Sequence, residues 1–129
     1  MQSHRFTDDA GWQDAAGYSR AVRRGTTIAV SGTTAHGPDG SALHRGDTYA
    51  QARLCLSSIE HALTALGGAL TDVVRTGIYL APGANWEEAA RAHRDVFADI
   101  RPASTMLYVA ELIGDGFLVE IAAQAVVAS

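Results

Sequence analysis

Chemistry in this sequence gathers on one carboxylate and a few polar residues set in apolar, β-prone runs. Glu120 lies between Val119 and Ile121, inside the run Phe117 to Val127. A charge in an apolar strand is costly unless it is paired or used. Two readings follow: a group that activates water, or a structural carboxylate held by a cation such as Arg75 or by backbone donors. Side chains alternate along a strand. On that rule Ser31, Arg75 and Ser104, each in its own predicted strand, share a sheet face with Glu120. Ser104 could hydrogen-bond a neutral ligand, or it is simply a small strand residue. No His falls on a strand near it, which argues against a Ser–His nucleophile. His93 sits on the apolar stripe of a predicted helix and reads as a core histidine. His4, His36, His44 and His61 show no metal-ligand spacing, so no metal is expected. All ten basic residues are Arg. The absence of Lys excludes Schiff-base catalysis by a lysine. A single cysteine, Cys55, excludes an internal disulfide and a Cys-based zinc cluster.

The elements that must position these groups follow from periodicity. His4–Thr7 predicts a short strand and Asp8–Ala16 a loop. Gly17–Arg23 and Thr27–Thr34 read as a hairpin turned at Arg24-Gly25. Gly37–Gly46 is a loop without a phosphate-binding pattern. Asp47 or Thr48 caps a helix that runs to about Leu66. Its stripe is Ala52, Leu56, Ile59, Leu63 and Leu66, and Gly67-Gly68 ends it. Val73–Leu80 is a strand. Asn85 caps a second helix, with Glu88 completing a capping box and Trp86, Ala89, Ala90, His93 and Phe97 as its buried stripe. After Pro102, the runs Ser104–Leu112 and Phe117–Val127 read as a last hairpin around Gly114 and Gly116.

One domain over residues 1–129 is expected, of class α+β, with two helices covering one face of a six-stranded mixed sheet. Ile28, Val30, Val74, Ile78, Leu80, Leu107, Val109, Val119, Ile121, Ala123 and Ala125 are expected to face the helices. The other face carries Ala29, Ser31, Thr33, Arg75, Gly77, Tyr79, Ser104, Met106, Tyr108, Leu118, Glu120, Ala122 and Gln124. It is too apolar to be simply solvated, and no helix is left to cover it, so another subunit is the expected cover. The net charge is −4 with scattered arginines, which points away from nucleic acid. The sequence has no apolar run of membrane-spanning length, and MQSHRFTDD is not a signal peptide. A cytoplasmic protein with no membrane partner is expected.

Several motifs occur together and in order: Gly17-Tyr18-Ser19, Val30-Ser31-Gly32, Asp72-Val73-Val74-Arg75-Thr76, Arg101-Pro102-Ala103 and Val119-Glu120-Ile121. In this combination, from Gly17 to the C-terminus, the chain resembles the RidA/YjgF family of enamine/imine deaminases. The resemblance implies a chorismate-mutase-like fold and a homotrimer with ligand clefts between subunits. It implies a catalytic role for Glu120 in activating water. It also implies a cleft lined by Tyr18 and the backbone of Ser31 and Gly32, next to the Ala103-Ser104 segment; Tyr108, on the expected Glu120 face, either walls that cleft or packs in the core or interface. No cofactor is implied. The family's active members carry an arginine directly after the Pro-Ala pair, where it clamps a substrate carboxylate. Here that position is Ser104, and the position of a frequent family asparagine in the second helix aligns with Ala90. Serine supplies no charged, bidentate clamp. The chain is therefore expected to be a divergent member. It would hydrolyse a small imine or enamine other than a 2-imino acid, or serve as a non-catalytic small-molecule binder in a pathway. Arg75, Arg20 and Arg101 are possible substitutes for the clamp. Ribonuclease activity, an older label in the family, is not expected from the acidic balance.

Overall fold

The residues from Thr48 to Ala65 wind into the helix that the apolar spacing predicts. Asp47 caps it by accepting the Ala50 amide, and Ala52, Leu56, Ile59 and Leu63 are buried along one stripe. Each such aliphatic side chain contributes about 1.5–3 kcal/mol on burial. Gly67, at φ 82°, turns the chain away in a conformation that favours glycine.

The structure is a computed structural model that describes residues 2–128. In chain order the elements are β1 (Ser3–Phe6), α1 (Trp12–Ala16), β2 (Ala21–Arg24), β3 (Thr27–Thr34), α2 (Thr48–Ala65), β4 (Val73–Leu80), α3 (Trp86–Phe97), β5 (Ala103–Tyr108) and β6 (Val119–Val126). A 3₁₀ turn, Leu70–Asp72, leads into β4. The strands form one mixed sheet in the order β1-β2-β3-β6-β4-β5. Strands β4 and β5 run parallel; the other neighbours are antiparallel. Helices α2 and α3 pack side by side, with α2 across β3 and β6. The α+β sheet with both long helices on one side matches the expected fold class.

Four local expectations are corrected. The final two strands do not form a hairpin: β6 inserts between β3 and β4, and β5 pairs with β4 at the sheet edge. Gly114 and Gly116 shape a longer crossing segment, not a tight turn. Residues Trp12–Ala16, expected as loop, form a short helix between Gly11 and Gly17, both at positive φ. The capping box of α3 is half made. Asn85 accepts the amides of Glu87 and Glu88, but its own amide donates to Thr48 Oγ1, and Glu88 pairs with Arg91 instead. Trp86 is exposed, and the stripe α3 buries most deeply is Ala89, Ala92 and Phe97.

The sheet faces are also partly re-sorted. Ile28, Val30, Ile78, Leu80, Val119, Ile121, Ala123 and Ala125 are buried against the helices as expected. Register irregularities interrupt alternation in β3 between Val30 and Thr33, and in β4 between Val73 and Arg75. An extra residue in one strand shifts every following side chain to the other face. Thr33 is therefore buried beside Ile121, and Val74 is exposed while Val73 is buried. Strand β5 is inverted throughout. Its parallel register sets Ser104 beside Thr76, Met106 beside Ile78 and Tyr108 beside Leu80. Those partners face the helices, so Ser104, Met106 and Tyr108 do too, and Leu107 is exposed on the other side.

Candidate functional site

The bulge in β3 builds the surroundings of Glu120. Val30 pairs with Ala123 and Thr33 with Ile121, which leaves Ser31 and Gly32 where the partner strand has one residue. Arg20, just before β2, pins this bulge. Its guanidinium is buried, and Nη2 donates to the carbonyls of Ser31 and Gly32 and to Thr33 Oγ1, at 3.1, 2.6 and 2.9 Å. Ser31 Oγ donates to the Ser19 carbonyl at 2.7 Å. The Tyr18 ring lies under the Arg20 guanidinium, 5.9 Å from its centroid. Gly32 then comes directly beneath Glu120: a methyl group at position 32 would overlap Glu120 Oε2. Glycine is required here by close approach, not by dihedral angle.

Glu120 itself is half-buried, flanked by Thr34 on β3 and Tyr79 on β4. Among the described residues no cation lies within ion-pairing distance of its carboxylate. Arg75, the expected structural counter-ion, is exposed further along the same face. The Cys55 thiol is pushed well above its usual range, first by complete burial and then by the negative charge of Glu120. That cysteine is an inert core residue.

Ser104 and Tyr108 lie across the sheet from Glu120, in contrast to the shared face expected for them. Ala103, opposite Arg75 in the register, is on the Glu120 side. Within one chain the anticipated site residues thus form two groups: Tyr18, Ser31, Gly32 and Glu120 around the bulge, and Ser104 and Tyr108 beside α3. Ser104 borders an open groove of about 590 Å³ between α3 and β5, and Tyr108 lies further along β5, outside it. Ile78, Phe97 and Met106 give the groove apolar walls, and Arg94, Arg101 and Ser104 give it polar groups. Tyr108 donates from its hydroxyl to the Ala84 carbonyl at 2.7 Å.

Two residues here were not anticipated as partners of Ser104. Thr76 Oγ1 is 2.8 Å from Ser104 Oγ and 2.9 Å from His93 Nε2. A histidine therefore does reach Ser104, from a helix and through a threonine. Desolvation by the half-buried setting holds His93 below the usual imidazole range. The sequence signal was His93 at the same helical face as Phe97. It was missed because the pairing that aligns Thr76 with Ser104 is parallel.

The three substitute arginines differ. Arg20 is buried, with Nη2 donating into the bulge and Nε 4.0 Å from Asp8 Oδ2, and is a structural residue. Arg101, at φ 55°, donates from Nε to the Ala98 carbonyl and lines the groove beside Ser104. Arg75 is on the other face. No group of histidine, cysteine and carboxylate residues suited to a metal occurs among the described residues, and no helix there is long and apolar enough to cross a membrane.

A half-buried carboxylate over a glycine bulge, on a sheet with both long helices on one side, defines a small α+β scaffold with a polar site on its open face. Comparison with known proteins agrees. A sequence model of the family described as Endoribonuclease L-PSP matches residues 11–127. The chain belongs to that family, also called YjgF or RidA. It is 32% identical over 110 residues to the 3-aminoacrylate deaminase RutC of Acinetobacter baylyi, covering 85% of this chain and 86% of that protein. It is 31% identical over 122 residues to an uncharacterized protein of Streptomyces coelicolor, covering 94% and 90%. The crystal structure of Rv2704 of Mycobacterium tuberculosis, a YjgF/YER057c/UK114 family member, superposes with a TM-score of 0.87. Its identity is 40%, over 98% of this chain and all of that one (100%).

Proposed function

We propose that this protein hydrolyses a small imine or enamine, releasing ammonia, in a cleft between copies of the chain. The observation that carries the reading is Glu120: a half-buried carboxylate over Gly32, without a cation partner among the described residues. Such a group can hold a water and take its proton as the water adds to carbon. A protonated imine is already electrophilic, so positioning and proton transfer suffice and no cofactor or metal is called for. Tyr18 and the Ser31-Gly32 backbone wall the Glu120 side. Ala103-Ser104 and Tyr108 belong to the wall supplied by a neighbouring copy. The sheet separates Glu120 from Ser104 and Tyr108 within one chain, so a homotrimer that sets one copy's open face against the next copy's groove is the assembly that unites them. The exposed Val74, Leu107 and Val126 support such a contact. The named activity of the RutC relative supports the reaction class. We assign the protein to the cytoplasm.

Ser104 in place of an arginine clamp favours a substrate without the usual carboxylate. It also favours a second reading, a binder of a pathway intermediate that performs no chemistry. Loss of a buried charged clamp costs about 2–5 kcal/mol of binding. The deciding experiment is ammonia release from freshly generated 2-iminopropionate and 3-aminoacrylate. Both carry a carboxylate for which this chain lacks the arginine clamp, so wild type is expected to turn them over slowly, and Glu120→Ala to lose roughly 10²–10⁴-fold from that rate. Ser104→Arg is expected to raise the rate on 2-iminopropionate. No turnover by any variant would remove the enzyme reading in favour of the binder.

A further inference from the structure

The groove between α3 and β5, which the proposed assembly sets against a neighbouring copy's Glu120, holds a second chemical feature. A threonine hydroxyl has one proton to give. Thr76 is completely buried, and its oxygen is within hydrogen-bond distance of only two of the side chains named so far, Ser104 and His93. The chain of three can therefore run in two directions. If His93 Nε2 carries a proton, it donates to Thr76, Thr76 donates to Ser104, and the Ser104 proton points into the groove. If Nε2 is bare, Thr76 donates to it, and Ser104 can donate to Thr76 and turn a lone pair outward. The two arrangements differ by the movement of protons along distances of 2.8 and 2.9 Å. No heavy atom has to move.

We infer that Ser104, Thr76 and His93 form a proton relay that makes Ser104 a nucleophile toward a small, electrophilic acyl compound bound in this groove. Ser104 Oγ bonds to the acyl carbon as its proton passes to Thr76 Oγ1 and the Thr76 proton passes to His93 Nε2. The bond from carbon to the leaving oxygen then breaks, and that oxygen takes its proton from water in the open groove, leaving hydroxide. The hydroxide adds to the acyl carbon, the bond to Ser104 Oγ breaks, and His93 returns its proton through Thr76 to the serine oxygen. Thr76 and His93 act as positioning residues behind the serine; neither needs to touch the substrate.

The surroundings suit the base direction. His93 is packed against the Phe97 ring, with centroids 4.7 Å apart. The charged residues of the groove are Arg94 on α3 and Arg101 in the turn before β5; Thr76 and Ser104 face His93 from the sheet. Half-burial keeps the ring below its usual range, so at neutral pH Nε2 is available to receive a proton. Ser104 is the exposed end of the relay. Strand β5 is the sheet edge, so alternate amides along it have no strand partner and can meet a developing oxyanion. Apolar walls of Ile78, Phe97 and Met106 with two arginines at the groove fit a short acyl group joined to an anionic part.

The test uses the full chain and phenylmethanesulfonyl fluoride, with the modified residue located by peptide mass spectrometry and p-nitrophenyl acetate as the acyl probe. One label per chain at Ser104 is expected, with a rate that rises with pH and levels once His93 has lost its proton. Thr76→Val and His93→Gln should each slow labelling on the order of 10²-fold, while Thr76→Ser restores it. A burst of p-nitrophenol with acetyl-Ser104 should follow the same ranking. A merely structural Thr76 would give the same pH profile in every folded variant. Labelling at other serines alone, or a Ser104 rate unchanged in His93→Gln, would overturn the relay. His93 is only partly buried, so that variant decides the matter even if Thr76→Val fails to fold. Because the readout needs neither Glu120 nor an imine, it stands or falls separately from ammonia release.

Discussion

The two faces of the sheet reach a reactive polar group by opposite means. On the open face the backbone shapes the site: a bulge in β3, pinned by the buried Arg20, lowers Gly32 under Glu120, whose carboxylate has no cation partner among the described residues. On the helix face side chains from three elements meet by packing: Ser104 from β5, Thr76 from β4 and His93 from α3. The difference teaches where tolerance lies. A bulge held by one guanidinium fails as a unit when that residue goes. A relay of side chains can lose a member and keep its frame.

The largest effect should therefore come from Arg20→Met. It removes the charged donor from two carbonyls and the Thr33 hydroxyl in a buried setting, which costs about 3–5 kcal/mol. Thermal unfolding should fall on the order of 10 °C or more, and ammonia release should vanish with it. Retention of both would mean that the bulge holds itself. Gly32→Ala comes next. The added methyl must push Glu120 aside or distort the bulge, at roughly 1–3 kcal/mol. Ammonia release should drop more than stability does; a loss of stability alone would mean that Gly32 serves the fold and not the placement of Glu120.

The contrast also explains what could be read from the residues alone. Glu120 stood out because a charge in an apolar run is visible at one position. The stripe of α2, its Asp47 cap and the Arg24-Gly25 hairpin are local signals, and the structure carries all three. The face of Ser104 was not local. It depends on which strand β5 joins, and a short segment with two glycines looked like a hairpin turn when it is a crossing. A parallel pairing with β4 then inverted every side chain of β5. The bulges in β3 and β4 were equally silent, because one extra residue leaves no compositional trace. His93 was recognised as lying on the apolar stripe of its helix, but its partner Thr76 shows only once strand and helix are set face to face.

The smallest effect, and the sharpest for the helix face, is in the pH dependence of stability. Burial lowers the His93 pKa from its ordinary 6.5 in the folded state. The unfolded chain then binds a proton that the folded chain refuses. Stability linked to this residue is complete above about pH 6.5 and is lost as pH falls from there through the folded value. Replacing the ring with a group that does not titrate removes that loss. Between pH 7.5 and 5.5 the melting temperature of wild type should fall more than that of His93→Gln, by a few degrees or less. Parallel curves for wild type and His93→Gln would mean that packing against Phe97 does not hold the ring in its neutral form.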